Sequence, residues 1–202
     1  MSTVTKRKRI SKSREDRRRD LLAAASRLFA ARGMAAITVS DIADAAGVAK
    51  GTFYLYFDTK EDLLAALREQ LVEESLGYIA ELASRVGQED WWGQVDAAVD
   101  SSVGFLLAHR DMFQVFGREG MTPATQPRFA ACERKLSETF AAGIRLGVEA
   151  GVFSVTDPDM MGVLLRNAVE GAVLQAIVVG EDLDRGRLVS AAKELSRKAL
   201  TP

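Results

Sequence analysis

Residues 38–57 read TVSDIADAAGVAKGTFYLYF. Thr38 followed three positions later by Asp41 is a capping-box pattern, which predicts a helix starting near Val39. Val39, Ile42, Ala43 and Ala46 form its apolar stripe, and Gly47 stops it after about two turns. A third short helix is expected from Ala49 to Phe57, with Phe53 and Phe57 stacked at i, i+4. Two short helices joined by Gly47-Val48-Ala49, a tight turn with glycine at its corner, have helix-turn-helix geometry. In that geometry the second helix enters the DNA major groove. Phe53, Phe57 and Val48 are expected to face the core, leaving Lys50, Gly51, Thr52, Tyr54 and Tyr56 on or near the outer face. Lys50 brings charge for a phosphate or a guanine edge. Gly51 lets the backbone approach closely. Thr52 suits a phosphate or a thymine methyl, and the tyrosines offer a hydroxyl on a flat apolar body.

The surroundings of this stretch are basic. Residues 1–60 hold 13 Lys+Arg against 6 Asp+Glu, a net of +7. Residues 61–202 hold 14 against 22, a net of −8, so the overall −1 hides a basic head on an acidic body. Such asymmetry points to a polyanion at the basic end. The run from Lys6 to Arg19 is densest, and residues 1–13 are expected to form a basic, disordered arm. Such an arm is either plain solvated tail or ordered on DNA when bound.

The remaining periodicity is helical throughout, so the fold class is all-α. Leu21, Ala25, Leu28 and Phe29 form one stripe, and Arg32-Gly33 ends that helix with a glycine able to turn left-handed. Thr59 and Asp62 repeat the capping box and open a long helix to about Ser84. Asp90 caps another from Trp91 to about His109, and a short helix covers about Asp111 to Phe116. Gly120, Pro123 and Pro127 predict a loop. Helices then run from Phe129 to Ala150, from the Asp157-Pro158 start to about Val179, and from Leu183 to Leu200.

Composition excludes several function classes. One Cys cannot close an internal disulfide, and one His with one Cys cannot build the usual zinc sites. No metal or cofactor is expected. The N-terminal charges lead into no apolar signal segment. The apolar stretch 160–179 carries Arg166, Asn167, Glu170 and Gln175, which suits a buried interface helix better than a bilayer. A cytoplasmic protein without membrane contact is expected. No phosphate loop, G-x-S-x-G or metal-ligand cluster supports an enzyme.

At these residues the sequence resembles the TetR family of transcriptional repressors. The stretch 20–33, DLLAAASRLFAARG, is similar to that family's first helix. Residues 38–57 are similar to its second and third helices, and 58–64, DTKEDLL, to the start of its fourth. Leu55 departs from the commoner tyrosine, which removes it from the polar contacts. The resemblance implies an N-terminal three-helix DNA-binding domain over residues 14–60 and a larger helical domain for effector binding and dimerisation over 61–202. It implies that Thr38 caps the second helix and touches a phosphate with Ser40 close by. It further implies that Lys50, Gly51, Thr52, Tyr54 and Tyr56 face the groove or its walls, and that Lys60 holds a phosphate. For Tyr54 and Tyr56 the alternative is packing against the first helix.

For the body the resemblance implies a homodimer on a pseudo-palindromic duplex operator, released by a small, mainly apolar effector. Gly162, Arg166, Gly171, Ala172, Gln175 and Ala176 are the expected dimer contacts, since 160–179 is apolar almost all round and its small residues permit close crossing. Arg166 and Glu170 are expected to pair with each other or across the dimer axis. The expected pocket draws on Trp92, Phe105, His109, Met112, Phe113, Phe116, Phe129, Arg166, Asn167 and Glu170. Cys132 is expected to be a buried, apolar-like thiol. Two readings compete with this one: a regulator of the same fold without an effector, and an architectural protein that binds any DNA.

Overall fold

The computed structural model describes residues 13–86, 89–119, 122–179 and 184–201. The basic run before Ser13, together with Gly120, Gly180 and Leu183, lies outside them. Among the described residues there are nine α-helices and no strand. They divide into two compact units that meet in sequence at Leu63 and Leu64.

The first unit holds α1 (Arg14–Arg32), α2 (Val39–Ala45), α3 (Lys50–Phe53) and the first residues of α4 (Lys60–Arg85). Helix α1 begins nearly two turns before its apolar stripe. Ser13 Oγ accepts from the Asp16 amide at 3.0 Å, and Asp16 Oδ2 accepts from the Ser13 amide at 3.2 Å. This capping box satisfies two donors that the helix leaves open. The helix ends at Gly33, which has φ 74° and ψ 155°. The backbone is therefore not left-handed helical as expected, but in a positive-φ, extended region open essentially to glycine alone.

Thr38 caps α2 as expected, with Oγ1 accepting from the Asp41 amide at 3.1 Å. Gly47, at φ 67°, turns the chain into α3. The regular part of α3 is only four residues, against the nine expected. Beyond it the chain winds on in tight turns, with Tyr56 N donating to Phe53 O at 3.0 Å and Leu55 N to Thr52 O at 3.2 Å. Gly51, the β-branched Thr52 and a run of aromatics have weak helix propensity, so the winding tightens instead of extending. Phe53 and Phe57 are buried, and their rings stand 5.7 Å apart. With Leu21, Phe29, Ile37 and Ile42 they belong to the unit's buried core.

The second unit holds the rest of α4 with α5 (Trp91–Ala108), α6 (Arg110–Glu119), α7 (Gln126–Glu149), α8 (Pro158–Val179) and α9 (Arg185–Leu200). Asp90 caps α5 through the Gly93 amide at 2.9 Å, Asp157 caps α8 through Met160 at 3.0 Å, and Asp184 caps α9 through Arg187 at 3.1 Å. Helix α7 packs along α8, and α9 along α5. The second contact is reinforced by Lys193 on Asp100 at 2.6 Å and Arg197 on Asp96 at 2.8 Å. Ile144, Phe153 and Leu200 form a core on which both Trp91 and Trp92 rest. No helix among the described residues is long and apolar enough to cross a membrane.

Candidate nucleic-acid interface and body cavity

In the first unit the buried Phe53 and Phe57 fix which way the recognition segment faces. Lys50 and Gly51 are exposed, and Tyr54 keeps 52 % of its surface in solvent. No protein atom stands within 4 Å of where a Gly51 side chain would begin. The fold itself therefore does not require glycine there. Thr52 and Ser40 are half-buried. The two tyrosines differ: Tyr54 meets only the edge of Phe53 at 5.4 Å, whereas Tyr56 lies under the guanidinium of Arg14 of α1, 5.9 Å away. Leu55 is 68 % exposed, so it offers an apolar surface beside Tyr54.

Thr38 and Lys60, both expected at phosphates, have internal bonds. The Thr38 hydroxyl accepts from the Asp41 amide and donates to Asp41 Oδ2 at 2.7 Å. These bonds to Thr38 hold the Asp41 carboxyl below the ordinary aspartate range. Lys60 Nζ donates to the backbone carbonyls of Met34 at 2.9 Å and Ile37 at 2.7 Å. The ammonium thereby ties the α1–α2 connection to the start of α4, with one of its three donors left over.

The second unit encloses a cavity of about 240 Å³ among α4 to α9. Its walls are mostly apolar, with Leu71, Val99, Phe105, Phe113, Phe140 and Leu165 among them. Arg68, Arg166 and Glu170 also line it. Both arginines are at least nine-tenths buried. Glu133 of α7 bridges them, its Oε1 taking Arg68 Nη2 and its Oε2 taking Arg166 Nη2 at 2.8 Å. Arg166 also donates to Glu170, the within-chain member of the two expected pairings. Burial pushes the Glu170 carboxyl above the ordinary glutamate range, against the pull of Arg166 and then Arg68. Arg68 also stacks over Phe113 at 5.3 Å and Phe116 at 5.5 Å. The Nε atoms of Arg68 and Arg166 are buried without a hydrogen-bond partner.

Of the ten expected pocket residues, Phe105, Phe113, Arg166 and Glu170 line this cavity. The other six do not. Trp92 packs on Phe153 under Arg197. His109 Nδ1 bonds the Phe105 carbonyl at 2.9 Å, as a residue at a helix end does. Met112 is core, and Phe116 and Phe129 pack edge to face on each other. Asn167 faces solvent and donates to the Val163 carbonyl. Two polar groups of the cluster escaped the sequence reading, Arg68 and Glu133. Arg68 left a signal: it stands on the apolar stripe Leu64, Arg68, Leu71, Val72 of α4, where a charge is out of place. Cys132 is buried, and burial raises its thiol pKa.

The model of the family of bacterial regulatory proteins called tetR matches residues 21–67. HTH-type regulator YvdT of Bacillus subtilis is 35 % identical over 92 residues, which span 46 % of this chain and 46 % of that protein. HTH-type transcriptional repressor KstR2 of Rhodococcus jostii is 29 % identical over 161 residues, 78 % of each chain. A TetR transcription regulator of known structure from Haloarcula marismortui superposes with a TM-score of 0.75 at 21 % identity, covering 92 % of this chain and 97 % of its own. The chain belongs to the TetR family.

TetR-family proteins are DNA-binding transcriptional regulators, not enzymes, and the exposed recognition segment fits that role. Helix α8 of this TetR-family chain presents two faces. Three of the six expected dimer contacts point inward: Gly162 and Ala176 are buried, and Arg166 belongs to the charge cluster. Gly162 is used within the chain, where α8 crosses α7 at Ala141. Gly171 and Gln175 are exposed and Ala172 is partly so. With Met160, Leu164 and Val178 they mark an outward stripe at helical spacing, and Leu195 of α9 is exposed as well.

Proposed function

We propose that this protein is a homodimeric repressor that reads a pseudo-palindromic operator with the segment from Lys50 to Tyr56 and is released by a small effector in the body cavity. The observation that carries the DNA reading is the anchoring of Phe53 and Phe57. Their burial commits one side of the recognition segment to the core and leaves Lys50, Gly51 and Tyr54 outward in a unit of high positive charge. The empty space at Gly51 suits close approach by a duplex. Exposed Leu55 suits a thymine methyl. Thr52, Tyr56, Ser40 and Thr38 flank this surface, and the third donor of Lys60 serves a phosphate.

The exposed apolar stripe Met160, Leu164 and Val178 supports pairing of α8 with a second copy, with Gly171 and Gln175 at the crossing. The apolar cavity supports an effector, and Arg68 on α4 supports coupling, because α4 belongs to both units. An effector that favours one arrangement of α4 then shifts operator affinity by its difference in affinity for the two.

Selection of the purified protein against a randomised duplex pool at physiological salt tests this. Enrichment of a pseudo-palindrome with half-sites about 34–36 Å apart, or a multiple, is expected of a dimer reading two grooves. Binding without enrichment replaces it with the architectural reading, which predicts steep salt dependence instead.

A further inference from the structure

The cavity combines apolar walls with two buried guanidiniums whose Nε–H groups have no acceptor. A buried charged donor left unmet costs more than a neutral one, roughly 1–3 kcal/mol or more. A purely apolar ligand would leave both donors unmet. Glu133 shows how far apart the two side chains stand: a single carboxylate already spans from Arg68 to Arg166. The volume of about 240 Å³ lies below the usual range for drug-sized ligands, roughly 300–1,000 Å³, which favours a compact molecule. The other hydroxyls on the wall are spent on their own helices, Ser102 on the Ala98 carbonyl and Ser196 on that of Ala192.

We infer that the effector is a compact amphiphile with one carboxylate, whose head accepts from Nε–H of Arg68 and Arg166 while its tail fills the space beside Val99, Phe105 and Leu165. This rests on the reading of the cavity as the effector site and narrows its chemical class. Glu133, half-exposed on α7, and Glu170, buried on α8, face the same arginines and limit the net positive charge there. Removing the charge of Glu133 therefore strengthens anion binding.

Displacement of the neutral fluorophore N-phenylnaphthylamine from the full-length protein, by decanoate or decanol below their micelle thresholds, tests the inference. Decanoate is expected to bind at least about tenfold tighter than decanol, as one charge-assisted hydrogen bond would give. Glu133→Gln is expected to tighten decanoate a few-fold and leave decanol unchanged. Arg166→Gln is expected to bring decanoate down to the level of decanol. If Arg166→Gln does not fold, Glu133→Gln decides alone, since its side chain is 42 % exposed. Equal displacement by acid and alcohol, or no response of decanoate to Glu133→Gln, overturns the carboxylate and leaves the effector cavity standing. Failure of the fluorophore and both ligands to bind overturns both readings.

Discussion

Gly162 of α8 lies so close to Ala141 of α7 that a methyl group added to it would stand 2.8 Å from the Ala141 nitrogen. The obstacle is backbone, so it cannot swing aside. Gly162→Ala gains up to about 1 kcal/mol in helix propensity but forces the two helices apart, which costs about 1–3 kcal/mol. A lower urea midpoint is expected. An unchanged or raised midpoint would show that the crossing is loose.

Lys60→Ala removes two hydrogen bonds from the carbonyls of Met34 and Ile37. A loss of about 1–3 kcal/mol in unfolding free energy is expected, seen by denaturant titration. Affinity for operator and random duplex should fall about equally, with a salt slope lower by roughly one. A change in DNA affinity with no change in stability would mean that the phosphate is the main partner of Lys60.

Tyr54→Ala should behave differently, because that ring is half in solvent and touches only the edge of Phe53. Stability should change little. Operator affinity should fall by about tenfold or more while random-duplex affinity holds, measured by fluorescence anisotropy. Equal losses on both duplexes would remove Tyr54 from sequence reading.

Leu164→Glu places a charge in the middle of the outward stripe of α8. Sedimentation equilibrium should move from twice the chain mass to the chain mass with helix content unchanged, since a buried unpaired charge is strongly disfavoured. A dimer of undiminished affinity would place the interface elsewhere.

The Asp41 carboxyl, held low by its bonds to Thr38, contributes stability above the ordinary aspartate pKa of about 3.9. That contribution is lost as pH falls through the lower value of the folded state. The urea midpoint of the natural protein should exceed that of Asp41→Asn near neutrality, and the gap should close in strong acid. A gap independent of pH would mean that the cap works without its charge.

What local chemistry encodes, the chain displays openly. Capping at Thr38, Thr59, Asp90 and Asp157 and the turn at Gly47 each depend on side chains within four residues of the backbone they satisfy, so helix order and the recognition segment are legible without a fold. The shortening of α3 was less so, because propensity near the helix threshold is settled by what Phe53 and Phe57 anchor to. The face of Arg166 was not legible at all. On α8 alone, Gly162, Arg166 and Ala176 look as suited to a partner as Gly171 and Gln175. Only the approach of α7, which brings Ala141 to Gly162 and Glu133 to Arg166, turns the first three inward. Glu133 and Arg68 lie 65 residues apart, and their meeting with Arg166 is a product of packing over that distance. The sequence by itself determined the helices and the DNA-facing segment, because those follow from neighbours along the chain. The tertiary structure alone decided which charges meet in the cavity, because that depends on helices brought together across it.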